Sequence, residues 1–393
     1  MTAPKSLLSL EFILLACISF FAFCNMAVFY GFYSYLGHIG IPPEWRGVLL
    51  GLEPFTAFVL RLVLIPLISV GNAARVLLFG LLLLVAALWS YRWALTVPSL
   101  MLLRVLHGAA FVLLVSASIT LVVRFIPEDR SAQGFSLFSL TTLLPYALMP
   151  PLTEFLLPRV ASAADIYAGV SLLAVPAILL LLWGKQRLTA AVTGMDRALT
   201  QRPSRQELQD DLRQPAVLLL LAVNLCFYLS YSAVFYFMKD FAGPLGGNEV
   251  GTFFTLSTAA MILTRLFGSL VLDRFPKLPL LRTGTAALAL CILALAGTDS
   301  AGRLAVLAVL YGLSLGISLP LLNAVLFMAS PPGLRGVNTN LALFMMDAGF
   351  FLSPWLGGAF LAAGGSVGVL FAGCAAIMAL ALGLLFAVRI RLL

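Results

Sequence analysis

Charged side chains are scarce in this chain. Only 10% of its 393 residues are Asp, Glu, Lys or Arg, whereas an ordinary soluble domain has about 25%. Hydrophobic residues make up 62% of the chain. Apolar runs of about 20 residues recur along it, and each is long enough to cross a hydrocarbon core of about 30 Å as a helix. The sequence therefore predicts an all-α membrane protein.

Patterns that bind metals or catalyse reactions are also lacking. The chain has 2 His and 5 Cys, and the cysteines lie inside apolar runs, with no C-x-x-C pair and no His cluster beside them. Neither a P-loop nor an H-E-x-x-H motif occurs. We therefore expect no enzyme activity, no cofactor, no metal site and no direct use of ATP.

Acidic residues are fewer than basic ones, which gives a net charge of +8. The basic residues fall between apolar segments rather than in a patch that would bind nucleic acid. With both termini in the cytoplasm, the inside loops and tails hold 16 of the 24 Lys and Arg and the outside loops hold 5, as the positive-inside rule requires. We expect cytoplasmic termini, a lipid bilayer as surroundings and no nucleic-acid partner.

Hydropathy divides the chain into two groups of six predicted helices. The predicted helices are 10–36, 47–69, 76–91, 97–123, 134–157, 166–183, 215–238, 248–272, 279–297, 304–328, 336–362 and 367–388. A polar linker, 184–214, separates an N-terminal bundle, 1–183, from a C-terminal bundle, 215–393. Its SRQELQDDL stretch fits a surface helix capped by Ser204 with Glu207 three residues on, although a plain tether is the interpretation that we prefer.

The two groups are related by an internal duplication. The letters AVFY occur twice, and sliding the chain on itself by about 204 residues places Arg61 on Arg265, Gly80 on Gly284 and VLHG at 105–108 on VLYG at 309–312. Each group has an even number of helices, so both groups have the same orientation in the membrane. The sequence predicts two parallel repeats related by an axis along the membrane normal.

Twelve helices in two parallel repeats, joined by a basic linker, resemble the major facilitator superfamily over the whole chain. RLFGSLVLDRFPKLPLL, 265–281, is similar to the family's G-x-L-x-D-R loop motif. The resemblance assigns a conformational role to this loop and its repeat partner, with residues Gly268, Asp273, Arg274, Lys277, Arg61 and Arg265. The first-half counterpart, 61–78, has neither the Gly nor the Asp.

Two further stretches resemble the drug and sugar efflux branch of that family, whose members are proton antiporters. RVLHG, 104–108, is similar to the R-x-x-x-G of the fourth helix. GFFLSPWLGG, 349–358, is similar to the antiporter G-x-x-x-G-P-x-x-G-G pattern with Ser353 in place of a Gly. The resemblance implies proton-coupled export.

Polar residues that occur in only one repeat are candidates for transport chemistry. Asp347 lies near the centre of its predicted helix and matches Leu143, and a charged Asp there costs about 2.5–3.5 kcal/mol. We expect it either to carry a proton or to be a structural Asp bonded to a neighbouring helix. Arg104 matches Ala308 and, with Glu53, is a further candidate for proton coupling. Arg61 and Arg265 repeat, and we expect them to snorkel to the cytoplasmic surface as structural residues.

The first and seventh predicted helices combine aromatic rings with a few amide groups, a lining that suits an apolar or amphipathic solute. The candidate solute-binding residues are Asn25, Phe29, Tyr30, Asn224, Tyr228, Tyr231 and Asn323. We expect a monomeric exporter of a small organic molecule in the inner (plasma) membrane of a bacterium, driven by protons. The alternatives are a proton-coupled importer of an organic anion and a non-transporting receptor or assembly factor.

Overall fold

The computed structural model describes residues 7–64, 67–193, 204–242, 249–268 and 274–388, and these residues form helices joined by turns. Its α-helices are α1 Leu10–Ala27, α2 Phe32–His38, α3 Pro43–Leu64, α4 Val70–Ser90, α5 Val97–Val122, α6 Ser131–Leu156, α7 Ala163–Ser171, α8 Ala174–Thr193, α9 Arg205–Leu212, α10 Pro215–Ala242, α11 Glu249–Gly268, α12 Lys277–Ala296, α13 Ala301–Ala329, α14 Arg335–Ala362 and α15 Val367–Ala387. Within the described residues, nine helical stretches are long and apolar enough to cross a membrane. The predicted all-α membrane architecture is confirmed.

The first predicted helix, 10–36, is not continuous. The α-helix α1 ends at Ala27, a 3-10 turn follows over Val28–Gly31, and α2 begins at Phe32. Hydropathy cannot reveal this change, because all three pieces are apolar. The turn overlaps the last three letters of the first AVFY copy and extends to Gly31.

Two helix boundaries differ from the predicted ones for local reasons. The helix α3 begins at Pro43, four residues before the predicted 47, because proline fits the first helical position, where no amide hydrogen is needed. The helix α8 continues to Thr193, past the predicted end at 183, since the polar residues beyond the apolar run include good helix formers such as Lys, Arg, Leu and Ala.

The linker contains the short surface helix that its sequence allows. The backbone N–H of Glu207 donates to the Ser204 hydroxyl at 3.1 Å, and the backbone N–H of Ser204 donates to the Glu207 carboxylate at 2.6 Å. This reciprocal pair satisfies two amide groups at the start of α9. The preferred interpretation of this stretch as a plain tether is therefore wrong, and the capped surface helix that we considered as the alternative is present.

The chain folds into two compact units, and each includes a short segment from the other half of the sequence. Unit 1 comprises Met1–Pro127, Leu140–Pro203 and Pro332–Asn340, and unit 2 comprises Glu128–Ser139, Ser204–Pro331 and Leu341–Leu393. The predicted division at 184–214 describes the order along the chain. The units describe which residues pack together.

One helix crossing in each unit requires a glycine because the backbones approach closely there. In unit 1, a Cβ on Gly108 of α5 would lie 2.6 Å from the carbonyl oxygen of Glu53 on α3. In unit 2, a Cβ on Gly312 of α13 would collide with the carbonyl oxygen of Ser257 on α11. Gly312 and Ser257 are the repeat counterparts of Gly108 and Glu53. The duplication therefore extends to the atoms in contact at this crossing.

The segments taken from the other half of the sequence are each fixed by a polar side chain. In unit 2, the hydroxyl of Ser136 donates to the carbonyl of Arg265 at 2.9 Å. In unit 1, the amide of Asn340 donates to the Thr120 hydroxyl at 3.0 Å and to the Ser116 carbonyl at 3.3 Å. Ser136 and Asn340 are 204 residues apart, so the repeats use the same position for this anchor.

Candidate functional site

Arg104 and Glu53 form a buried ion pair in unit 1. A guanidinium nitrogen of Arg104 lies 3.0 Å from a Glu53 carboxylate oxygen, and the two side chains are 2% and 21% exposed. The other guanidinium nitrogens are occupied as well: Nε donates to the Leu49 carbonyl at 2.9 Å, and Nη1 lies 3.5 Å from Nδ1 of His107. Two of the three residues predicted for proton coupling are thus brought together.

Arg104 also satisfies a backbone carbonyl that α3 cannot satisfy itself. Pro54 lies inside α3 and has no N–H, so the carbonyl of Leu50, four residues earlier, lacks its helical donor. Nη2 of Arg104 donates to that carbonyl at 3.1 Å. Since a buried carbonyl without a donor costs about 1–3 kcal/mol, Arg104 stabilises this interruption of α3, which we call the Pro54 gap.

His107 is held between Arg104 and the sulfur of Met26. Arginine has only donors, so Nδ1 of His107 must accept and carries no proton. The hydrogen then lies on Nε2, which is 3.2 Å from the Met26 sulfur. We infer that His107 is a neutral, packed imidazole in this structure.

Aromatic rings cover Arg104 on the remaining sides. The ring of Phe32 lies 4.7 Å from its guanidinium carbon. Phe29 stacks on Tyr167 at 4.2 Å and packs against His107 at 4.6 Å. Phe29, a predicted solute contact, thus lies in the packed core of unit 1, while the side chain of Tyr30 lies outside the described residues.

Arg61 does not reach the membrane surface. Its side chain is 0% exposed, and its Nη1 donates to the hydroxyl of Ser116 on α5 at 2.9 Å. The expectation that Arg61 snorkels is therefore wrong, because a hydrogen-bonding group on the next helix is available inside the bundle. Arg265 is also buried, at 5% exposed, and its Nη1 donates to the Ser139 carbonyl at 3.4 Å.

Asp347 is buried beside the contact of α10 with α14 in unit 2. It is 4% exposed, and it interacts electrostatically with Tyr228. Two residues further on, a Cβ on Gly349 would lie 2.6 Å from Cβ of Tyr228, and the Gly349 carbonyl accepts from the Ser232 hydroxyl at 2.9 Å. The D-A-G sequence therefore holds the carboxylate where α14 touches α10.

Tyrosine and phenylalanine rings extend from Asp347 along α10. Tyr228 and Tyr231 pack edge to face at 6.3 Å, and both contact Phe350 of α14, at 6.1 and 5.7 Å. Tyr228 and Tyr231 are partly exposed, so this cluster has the lining expected for an apolar or amphipathic solute.

The predicted asparagines differ in their surroundings. Asn25 donates to the Phe21 carbonyl at 2.8 Å, and its Oδ1, like Oδ1 of Asn224, is buried without a hydrogen-bond donor among the described residues. Asn323 is half-buried on α13. The two buried amide oxygens retain hydrogen-bonding capacity that the surrounding described atoms do not use.

A small groove lies between α1 and α5 in unit 1. Its volume, including its open side, is about 220 Å³, and it is lined mainly by apolar side chains, with the hydroxyl-bearing Ser19 and Ser118 among them. The Ser19 hydroxyl is buried without a partner among the described residues. No residue with a formal charge lines this groove.

The predicted conformational loop is described only in part. Gly268 is the last residue of α11, Arg274 is exposed and Lys277 is the first residue of α12, whereas Asp273 lies outside the described residues. The conformational role predicted for Asp273 stays a prediction.

Sequence reasoning missed Arg124, which follows α5. Its guanidinium donates to the carbonyls of Pro332 and Gly333, at 2.5 and 3.2 Å. Burial, followed by repulsion from Arg335, lowers the pKa of Arg124 to about 10, so it stays charged near neutral pH. The only signal for this role in the sequence is the P-P-G stretch at 331–333, where a helix cannot continue and backbone carbonyls need other hydrogen-bond donors.

The sequence and fold match known membrane transporters. The family model of the Major Facilitator Superfamily matches residues 15–248 and 220–392. No curated protein sequence matches the chain.

Solved structures of transporters share the fold at low sequence identity. The human organic anion transporter MFSD10 (TETRAN) has 15% identity and a TM-score of 0.72, covering 95% of this chain and 98% of its own. The proton:xylose symporter XylE bound to 6-bromo-6-deoxy-D-glucose has 14% identity and a TM-score of 0.74, covering 96% and 95%. A bacterial homologue of the iron transporter ferroportin, in an outward-facing state, has 13% identity and a TM-score of 0.73, covering 96% and 98%. The chain belongs to the Major Facilitator Superfamily and is a multi-pass membrane transporter rather than an enzyme.

Proposed function

We propose that this transporter exports a small apolar or amphipathic organic molecule in exchange for protons, by alternating access of two six-helix repeats. The layout is twelve spans with both termini in the cytoplasm of a bacterial inner membrane. The family membership and the charge asymmetry of the loops support it.

The observation that carries the proposal is the buried Asp347 beside the aromatic cluster of Tyr228, Tyr231 and Phe350. A carboxyl group is the kind of buried side chain that can take up and release a proton during transport. The rings next to it offer an apolar surface to a solute. Proton and solute would thus meet at adjacent positions, which is the arrangement that coupling requires.

Arg104 in unit 1 is poorly placed to bind the carboxylate of an organic anion. An organic anion would need a cation with a free donor, whereas the three guanidinium nitrogens of Arg104 contact Leu49, Leu50, Glu53 and His107. Binding an anion there would break bonds that stabilise the Pro54 gap. We therefore rank import of an organic anion second.

Proton movement in proteoliposomes tests the proposal. Full-length protein is reconstituted with the pH-sensitive dye pyranine inside, and ethidium, an aromatic amphipathic cation, or benzoate, an aromatic anion, is added outside. We expect ethidium, but not benzoate, to drive proton movement beyond that in protein-free liposomes, and Asp347→Asn to abolish it. Asp299→Asn is the matched control, because Asp299 is an exposed carboxylate paired with Arg303 in the same unit.

Other results would point elsewhere. Full coupled transport in Asp347→Asn would exclude the proton role of Asp347. Benzoate-driven proton movement that disappears in Arg104→Ala would favour the importer. A lack of counterflow with every solute tried would favour a receptor or assembly factor that has kept the fold.

A further inference from the structure

The repeated arginines of the two units differ in the acceptors that they meet. Arg61 and Arg265 occupy the same position at the offset of 204 residues, and both are buried, at 0% and 5% exposed. In unit 1, Nη1 of Arg61 donates to the Ser116 hydroxyl at 2.9 Å. Unit 2 has Pro320 at the matching position. Since the side chain of proline has no hydroxyl, Arg265 cannot make the same bond.

The helices around Arg265 nevertheless pack closely. In unit 2, a Cβ on Gly316 of α13 would lie 2.9 Å from Cβ of Thr264 on α11. Arg265 directly follows Thr264, and Pro320 follows Gly316 by about one helical turn. The missing acceptor is therefore explained by the residue at position 320 and not by a wide separation of the two helices.

The described residues offer the guanidinium of Arg265 little else. Its Nη1 donates to the Ser139 carbonyl at 3.4 Å, which is longer than the usual N–H···O distance of about 2.7–3.2 Å. Its Nε is buried without an acceptor among these residues. The ion pairs of the described part of the chain join other residues. Arg265 thus has one weak, neutral acceptor there.

An arginine in such surroundings calls for a negative charge. The guanidinium cannot give up its proton near neutral pH, so it cannot escape burial by becoming neutral. A charge that is removed from water is costly unless it is both paired and hydrogen-bonded. An anion that accepts from Nε of Arg265 would supply the charge and the acceptor together.

We propose that Arg265 is the centre of an anion-binding site in unit 2 that takes chloride. A monovalent ion balances the single positive charge, and a small one suits a side chain that is almost completely buried. The ion accepts from Nε, while Nη1 keeps its bond to the Ser139 carbonyl. In unit 1, the Ser116 hydroxyl takes the corresponding place beside Arg61.

The position of Arg265 along α11 allows a small ion to reach it. Arg265 lies three residues before Gly268, the last residue of the helix. At a rise of about 1.5 Å per residue, this is a depth of about 4.5 Å below the helix end. Chloride therefore needs to pass about one helical turn to exchange with the solution.

Thermal unfolding of the full-length protein in detergent measures the binding of chloride. Sodium chloride replaces sodium gluconate stepwise at constant ionic strength, because gluconate has the same charge but is too large for a closed site. A ligand that binds only the folded protein raises the midpoint of unfolding. We expect a saturable rise of about 2 °C at a chloride concentration of about ten times its Kd. The same midpoint in both salts would overturn the proposal.

Two arginine variants form a matched pair. Arg265→Gln removes the charge and is expected to make the midpoint insensitive to chloride. Arg61→Gln removes the counterpart in unit 1, which bonds to Ser116, and is expected to lower the midpoint while keeping the response to chloride. A response that survives in Arg265→Gln, or that disappears equally in both variants, would overturn the site.

Pro320→Ser gives unit 2 the hydroxyl that unit 1 has. With an acceptor on α13, Arg265 depends less on an ion, so the response to chloride is expected to become smaller. Serine also restores a backbone N–H that proline lacks inside the helix, so this variant keeps the test decisive if Arg265→Gln does not fold. An undiminished response in Pro320→Ser would overturn the proposal.

Benzoate in place of gluconate distinguishes an inorganic ion from the carboxylate of a solute. We expect benzoate to leave the midpoint where gluconate leaves it, because its ring does not fit beside a side chain that is 5% exposed. A rise with benzoate but not with chloride would overturn the chloride site and would assign Arg265 to the binding of an organic anion.

The site is independent of the proposed exchange of solute and protons. Arg265 lies on α11, whereas Asp347, the residue proposed to carry the proton, lies on α14. Asp347→Asn is therefore expected to keep the response of the midpoint to chloride even where it abolishes proton movement. A chloride response without proton-coupled transport would leave the anion site standing and remove the coupling, and coupled transport without a chloride response would do the reverse.

Discussion

Replacing Gly349 by alanine tests whether the contact of α14 with α10 is as tight as the structure indicates. The new Cβ would lie 2.6 Å from Cβ of Tyr228, 2.7 Å from its carbonyl carbon and 2.9 Å from the backbone nitrogen of Leu229. These neighbours are backbone atoms and a Cβ atom of α10, so α14 must move away from α10. Overpacking of this kind costs about 1–3 kcal/mol.

A second glycine of unit 2 isolates the cost of the clash. Gly373 lies in α15, and a Cβ there meets no atom within 4 Å. Both Gly→Ala changes gain about 1 kcal/mol of helix propensity. The difference between the free energies of unfolding of the two variants therefore measures the cost of the close contact at residue 349. We expect Gly349→Ala to be less stable than Gly373→Ala by about 1–3 kcal/mol, which lowers the midpoint of thermal unfolding by about 1–4 °C in a chain of 393 residues.

The assay is thermal unfolding of the full-length protein in detergent, followed by tryptophan fluorescence, with proton-coupled transport measured after reconstitution of the same preparations into liposomes. Because Asp347 lies two residues from Gly349, the shift of α14 is expected to reduce coupled transport as well. Equal melting temperatures for the two alanine variants would refute the close contact and, with it, our explanation of the D-A-G sequence.

Three other perturbations have outcomes that the structure determines. Ser116→Ala removes the hydroxyl that accepts from the buried Arg61, and it is expected to lower the free energy of unfolding by about 1–3 kcal/mol, as thermal unfolding would show. Ser90→Ala is the control, because the exposed Ser90 hydroxyl donates to the Ala86 carbonyl of its own helix α4, and it is expected to change the stability little. Arg124→Gln removes the charge that binds the Pro332 and Gly333 carbonyls, and hydrogen exchange in 332–340 is expected to become faster; unchanged exchange would contradict the anchoring role. The backbone N–H and then the hydroxyl of Ser204 lower the pKa of Glu207, so their stabilisation of α9 is present above the ordinary pKa of Glu and is lost as the pH falls through the lowered one. Hydrogen exchange in 205–212 measured against pH checks this. Ser204→Ala keeps the backbone N–H and is expected to reduce the dependence, whereas Glu207→Gln is expected to remove it.

Much of the scaffold follows from the sequence, because it depends on patterns that the chain repeats. The repeated glycines 108 and 312 mark the same crossing in both units. The capping box at Ser204 and Glu207 is local, and the structure contains it. Burial of Asp347 follows from its place in an apolar run. Each of these inferences needs only residues near in sequence or the offset of the duplication.

The partners of buried cations do not follow from the sequence in the same way. Arg61 was expected at the surface because its depth permits snorkelling, yet Ser116, 55 residues away, accepts its hydrogen bond inside unit 1. The main acceptors of Arg104 include backbone carbonyls of α3. Because every residue has a backbone carbonyl, residue identities do not show which carbonyls bind Arg104. Pro54 was the only sign that one of these carbonyls would be open, and its meaning depends on which helix packs against it.

Equivalent positions of the two repeats can also make different hydrogen bonds. Ser136 and Asn340 occupy the same place in the two repeats, and each anchors a segment that packs into a unit formed mainly by the other half of the chain. The hydroxyl of Ser136 makes one bond to the carbonyl of Arg265, whereas the amide of Asn340 reaches both Ser116 and Thr120. Arg124 adds two further bonds to the segment at 332–340. At the usual net value of about 1 kcal/mol for a hydrogen bond, Ser136→Ala, which removes one of these bonds, is expected to lower the free energy of unfolding less than Asn340→Ala, which removes two.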